Sequence, residues 1–265
     1  IAQQGPEFFN ELTKAFDKVI GKSRKEIHDS TFKDDLEGII FKHLGAKIKV
    51  NIGSALNDSQ DMGYSASYYP PSNVNPLGDR NSLYLNKVTS IKVDDKKAKI
   101  KGDISIFKPV LYVDLRIVIS GLLSAEENAA IVLHECGHIY YAFSLIGKLA
   151  STNMALRDLA RDYNSVTTDQ REILIHNARS KLGLEQVENE KLAKSKDVGE
   201  VILVLYTDSV TKIFSEMGSG AYDTTLSEYM ADQYAARHGA GKHLIKALDR
   251  LNNLSGVPDF THFGS

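Results

Sequence analysis

His134, Glu135 and His138 stand together as HECGH within the stretch Ser124 to Gly147. Two histidines four residues apart lie on one face of a helix, close enough to hold one zinc ion. Glu135 is offset by one residue around the axis, where it can take a proton from water rather than join the metal. A catalytic zinc needs a third protein ligand and an open fourth position. A third histidine at the extended HExxHxxGxxH spacing is absent, because Tyr141 and Ser144 occupy the glycine and histidine places. A carboxylate is available further on, in TTLSEYMADQYAARHG, Thr224 to Gly239. On a helix Glu228, Ala231, Asp232 and Ala235 share a face. The alanines allow close packing on the HECGH helix, Glu228 reaches the metal, and Asp232 accepts a hydrogen bond from a ligand histidine. Cys136, two residues from His134, points to another face and is read as core packing.

These side chains need rigid elements to hold them. Ser124 followed by Glu127 is a capping-box pattern, which starts the HECGH helix and leaves the motif near its middle. Ile131, His134, His138, Tyr141 or Ala142, and Leu145 then form one face, turned toward a cleft between two lobes. Upstream, apolar spacing predicts a helix over Pro6 to Ile20 with Gly21 as its stop, and a second over Lys33 to Leu44 ending at Gly45. Lys47 to Ile52 alternates as a strand, and residues 54–81, rich in Ser, Asn, Gly, Pro and Tyr, read as a long loop. Leu83 to Val93, Ala98 to Phe107 and Val110 to Ser120 read as further strands, the first two joined by a turn at Asp94 to Lys97. Downstream, Asn153 to Leu182 and Leu184 to Met217 read as helices, with Gly183, Gly199, Gly218 and Gly220 as breaks. Thr225 with Glu228 forms a second capping-box pattern, and Gly239 is a helix stop. The order predicts a single α+β domain with a small mixed sheet. Residues 1–123 carry the first helices and the sheet, 124–148 the active-site helix, and 149–265 a mostly helical lobe with the third ligand.

Two stretches resemble a known family. VDLRIVISGLLSAEENAAIVLHECGHIYYAFS, Val113 to Ser144, is similar to the HtpX-like and CAAX-prenyl-protease-like zinc endopeptidases, in which a strand and a GLL turn lead into an HExxH helix. SEYMADQYAARHGAGKHLIKALDRL, Ser227 to Leu251, resembles the same family's later helix of ExxxAD type and the helix after it. The resemblance covers roughly a fifth to a quarter of the chain, in the family's order. It implies a zincin-like fold of gluzincin type, with one Zn2+ on His134, His138 and Glu228, Glu135 as general base and Asp232 supporting a ligand. It also implies an oxyanion-stabilising histidine. Thr261-His262 stands in a comparable place, with Phe263 where the family has proline. His238, His243, Tyr140, Tyr222 and Tyr229 are competitors for that role. Many family members carry transmembrane helices, which this reading does not find here.

Composition bounds the rest. The chain has 265 residues, 32 Lys and Arg against 34 Asp and Glu, and a net charge of -2, so no basic field invites nucleic acid. One cysteine excludes an intramolecular disulfide. The longest apolar run, Val201 to Tyr206, is too short to span a bilayer. The first residue is Ile1, which fits removal of a leader, a pro-segment or part of a larger parent chain. The location is left open between the cytoplasm and export after such removal. The expected function is zinc-dependent hydrolysis of a protein or peptide substrate. The alternative is a latent or silent zinc-stabilised binding protein whose cleft is covered by residues 54–81.

Overall fold

The computed structural model describes residues 4–53, 63–68, 90–217 and 224–255. It is a mixed α+β fold, mostly helical, with a small sheet. Helix α1 (Glu7–Asp17) buries Phe8, Phe9, Leu12 and Phe16, the apolar stripe that its sequence spells out. It ends earlier than expected, and residues 18–21 form a turn in which the Gly21 amide donates to the Val118 carbonyl at 3.0 Å. Helix α2 (Arg24–His28) was not expected, although Ser23 and Glu26 form the capping box that announces it. Helix α3 (Phe32–Leu44) matches its predicted span and stops at Gly45 in the left-handed conformation.

Strands β1 (Lys49–Gly53), β2 (Ser65–Ser67) and β5 (Val110–Asp114) form one mixed sheet in the order β1-β5-β2. β1 runs parallel to β5 and β2 antiparallel to it. β3 (Lys92–Asp94) and β4 (Lys99–Lys101) make a separate hairpin, with its turn where the Asp94 to Lys97 pattern placed it. Two expected strands are shorter than their patterns. Gly102, at φ +110 against the backbone of Ser90, ends β4, and Ser105–Phe107 is a 3-10 turn. Residues 115–120, expected to continue the last strand, are helix α4 (Leu115–Ser120) instead. The Asp114 side chain accepts from the Arg116 amide and caps it. The run LRIVIS is apolar at nearly every step, so alternation could not separate a buried strand from a buried helix. Of the strand expected over 83–93, only 90–93 fall among the described residues.

Helix α5 (Ala125–Tyr163) carries HECGH and starts with the predicted box, in which the Ser124 and Glu127 side chains each accept the other's backbone amide. It runs 39 residues, well past Gly147. A Cβ on Gly147 would lie 2.6 Å from the Ile91 carbonyl oxygen, so this glycine marks a close approach of chain to helix rather than a helix end. The remaining helices are α6 (Thr168–Leu182), α7 (Asn189–Ala193), α8 (Val198–Met217), α9 (Thr224–Arg237) and α10 (Gly241–Ser255). Asn153 is therefore inside α5, the stretch expected to be helical over 153–182 is divided at 164–167, and that over 184–217 is divided at 194–197, just before the break expected at Gly199. Gly183 is a true stop, in the left-handed conformation, but Gly199 sits in the first turn of α8, where its amide donates to Asp197 Oδ1.

The described residues hold two hydrophobic clusters. One gathers α1, α3, the sheet and the first half of α5; the other gathers Leu156, Leu159, Tyr163, Ile175, Val201 and Leu205. α5 threads both, which makes it the structural axis. Among the described residues it is also the one helix long and apolar enough to cross a bilayer, and 72% of its most apolar window is buried inside the protein. The expectation drawn from Val201 to Tyr206 overlooked it.

Candidate metal centre

The centre forms where α9 lies against α5. Gly137, inside HECGH, makes that approach possible. A Cβ there would stand 2.8 Å from Ala231 Cα, 2.9 Å from its carbonyl oxygen and 2.9 Å from Tyr234 Cβ. A glycine in a helix interior costs roughly 1 kcal/mol in propensity, and it is kept here because nothing larger fits. Ala231 and Ala235 are fully buried on the opposing face, as their spacing predicts.

That packing brings Glu228 to both histidines. His134 Nε2 and His138 Nε2 are 3.1 Å apart, and the Glu228 carboxylate oxygens lie 3.2 Å from the first and 3.5 Å from the second. Donors held about 2.1 Å from a shared tetrahedral ion stand roughly 3.4 Å from one another. The separations are of that size, although the two carboxylate edges end on different Glu228 oxygens, and one donor atom from each of His134, His138 and Glu228 lies within 4.8 Å of the others, so the group can hold a metal ion. The outer ring atoms are fixed as well. His134 Nδ1 is 2.8 Å from Asp232 Oδ1, and His138 Nδ1 is 3.0 Å from Ser227 Oγ. With a metal bound, Nδ1 protons donated to these oxygens would leave both Nε2 lone pairs directed at the centre. Asp232 takes the supporting place expected of it. The expected box between Thr225 and Glu228 is not the carboxylate's role: α9 has already begun at Thr224, and both Glu228 oxygens face imidazoles.

Without a metal the charges are shared by protons. Burial opposes an imidazolium at His134, but hydrogen bonds to Asp232 and Glu228 and the nearby Glu135 charge outweigh it and push its pKa up to about 9. Hydrogen bonds from His134 and His138 hold the Glu228 carboxyl well below the usual range. A cation of charge two can take the place of that proton, which is how metal binding couples to pH.

Glu135 adjoins the triad without belonging to it. It is buried, and burial raises its pKa, with His134, His138 and a hydrogen bond from the Ala66 backbone pulling the other way. Ala66 is the middle residue of β2, paired with Leu111 of β5. β2 is anchored close by: the Gly63 amide donates to Asp114 Oδ2 at 3.1 Å, and the Tyr64 hydroxyl donates to Asn128 of α5. Among the described residues β5 is the central strand of this sheet, and β1 and β2 are its edges.

No family model, curated protein or solved structure matches this chain. The site's chemistry therefore rests on its own geometry.

The other sequence-predicted residues divide. His262, Tyr222 and residues 54–62 and 69–81 lie outside the described residues. Tyr140 is buried and donates to Asp95 Oδ1 at 3.0 Å, a packing and bracing role. Tyr229 is 55% exposed on α9. His238 is buried against Phe8 and Tyr234, about 15 Å along the helix from Glu228. His243 lies beside Phe9 on α10. Cys136 is fully buried and its thiol is pushed far up by burial, as befits packing. Sequence reasoning missed Ser227 and Gly137. Ser227 had a usable signal, since it precedes Glu228 in the same helix turn; the contact of Gly137 requires a partner helix that no local pattern names.

Proposed function

We propose that the protein is a zinc-dependent endopeptidase with a zincin-like, gluzincin arrangement. Glu135 carries this reading: a buried carboxyl of raised pKa sits beside a three-donor metal group and takes no place in it. A purely structural zinc site is closed by four protein ligands and has no use for such a neighbour. His134, His138 and Glu228 would hold the ion, which when bound supplies Lewis-acid polarisation of a carbonyl and makes water more acidic. Glu135 takes the proton from the attacking water and delivers it to the leaving amine. Its raised pKa brings it nearer the working pH, where one group serves best as base and then acid. β2 supports the reading from the other side, because the outer edge of a terminal strand can pair with an extended peptide backbone. Peptide is the substrate class that such an edge and such a centre serve together.

The test is digestion of a mixed peptide library by the protein as purified, with and without chelator, alongside Glu135→Gln. Expected is cleavage that the chelator removes, and a variant that retains one metal per chain but does not cleave. Undiminished cleavage by Glu135→Gln would overturn the mechanism.

A further inference from the structure

A cavity of about 380 Å³ lies at the seam between the two hydrophobic clusters, further along α5 than the metal group. The lining residues of α5, from Ser144 to Thr152, follow His138 by roughly 9 to 21 Å along the helix axis. Its walls come from the β3 hairpin, α5, the end of α6 and α8.

Charge is its distinguishing property. Lys92, Lys148, Lys181 and Lys212 line it against Asp95 and Glu216. One carboxylate serves two of the lysines: Glu216 lies 3.0 Å from Lys148 Nζ and 3.8 Å from Lys212 Nζ. Asp95 is already engaged by the Tyr140 hydroxyl. The lining also includes two hydroxyls where apolar side chains would pack a helix seam better. Thr152 and Ser209 are 1% and 3% exposed, with their oxygens 2.8 Å apart, and the Thr152 hydroxyl donates to the Lys148 carbonyl at 3.1 Å, which fixes the α5 wall against α8. Lys181 Nζ lies 3.6 Å from Asp158, so the ammonium groups that meet are those of Lys148 and Lys212 at Glu216. Two such groups in a partly enclosed space repel one another unless anionic charge joins them. The volume falls at the small end of ligand sites.

We infer that this cavity binds a small dianion, a phosphate or phosphate monoester or a dicarboxylate, at a place separate from the metal centre. The inference is independent of the peptidase reading.

Isothermal titration of the protein with inorganic phosphate, glycerol 3-phosphate and succinate, at constant ionic strength, tests it and separates phosphate from carboxylate chemistry. Expected is saturable 1:1 binding of at least one probe. Binding weakens about ten-fold or more in the double variant Lys148→Met, Lys212→Met, because two favourable charge contacts are lost. It is unchanged in Lys246→Met, an exposed lysine on α10. Glu216→Gln removes the competing carboxylate and keeps the side-chain shape, so it tightens binding several-fold. Absence of saturable binding for all three probes at millimolar concentration would overturn the inference, as would weaker binding by Glu216→Gln or an equal effect of Lys246→Met.

Discussion

Asp232 Oδ1 and His134 Nδ1 lie 2.8 Å apart, one helical turn beyond the point where Glu228 meets the other nitrogen of the same ring. The pair sets which imidazole nitrogen carries the proton, and so keeps Nε2 free for a metal. Asp232→Asn retains the shape and weakens that control. Its metal affinity should fall about 10- to 100-fold, the usual cost of losing a carboxylate behind a ligand histidine. Competition with a calibrated zinc chelator measures this, and unchanged affinity would show that Asp232 does not support the ligand.

Ser227 does for His138 what Asp232 does for His134, with a neutral oxygen at 3.0 Å. A hydroxyl acceptor is weaker than a carboxylate, so Ser227→Ala should lower metal affinity in the same direction by less, about ten-fold or below. If the serine variant loses more than the aspartate variant in the same competition assay, the assigned order of the two supports is wrong.

Gly137→Ala puts a methyl group into contact with the Ala231 backbone at 2.8 Å. α9 must move outward, and Glu228 moves with it. Overpacking of this kind costs about 1–3 kcal/mol, although alanine is the better helix former. Denaturant unfolding should register that loss in the metal-free protein, and the chelator assay a larger loss of affinity than the same substitution at the open Gly38 produces.

His238 makes acid stability a property of the α1 and α9 contact. Burial, then the charges of Arg237 and His43, lower its pKa from 6.5 to about 4. Between those values the unfolded chain binds the proton that the folded chain refuses, so the stability from the neutral ring is full above about pH 6.5 and is lost as pH falls to 4. The difference amounts to about 3 kcal/mol. Urea midpoints measured across that window in chelator should fall with pH. In His238→Leu the slope should flatten, whatever the variant's absolute stability.

What could be read along the chain were features carried by near neighbours. The two histidines, Glu135 between them, the Ser124 box, the alanine face of α9 and the stops at Gly45, Gly183 and Gly239 are all patterns within one or two helical turns. In Leu115 to Ser120 apolar residues run together at Ile117, Val118 and Ile119, and so short a run carries no period that separates strand from helix.

The sequence by itself determined the donor set: His134, His138, Glu228 and the supporting Asp232, each placed by helical spacing on one face of its own helix. Only the tertiary structure decided that the two faces meet. It did so through Gly137, whose missing side chain lets the helices close to the few ångströms that a shared ion requires. It likewise chose Ser227 as the partner of His138, put β5 at the centre of the sheet among the described residues, and joined Ile91, Lys148 and Ser209 around one cavity. Those are contacts between residues far apart in the chain, and their distances follow from packing, which spacing along a sequence does not encode.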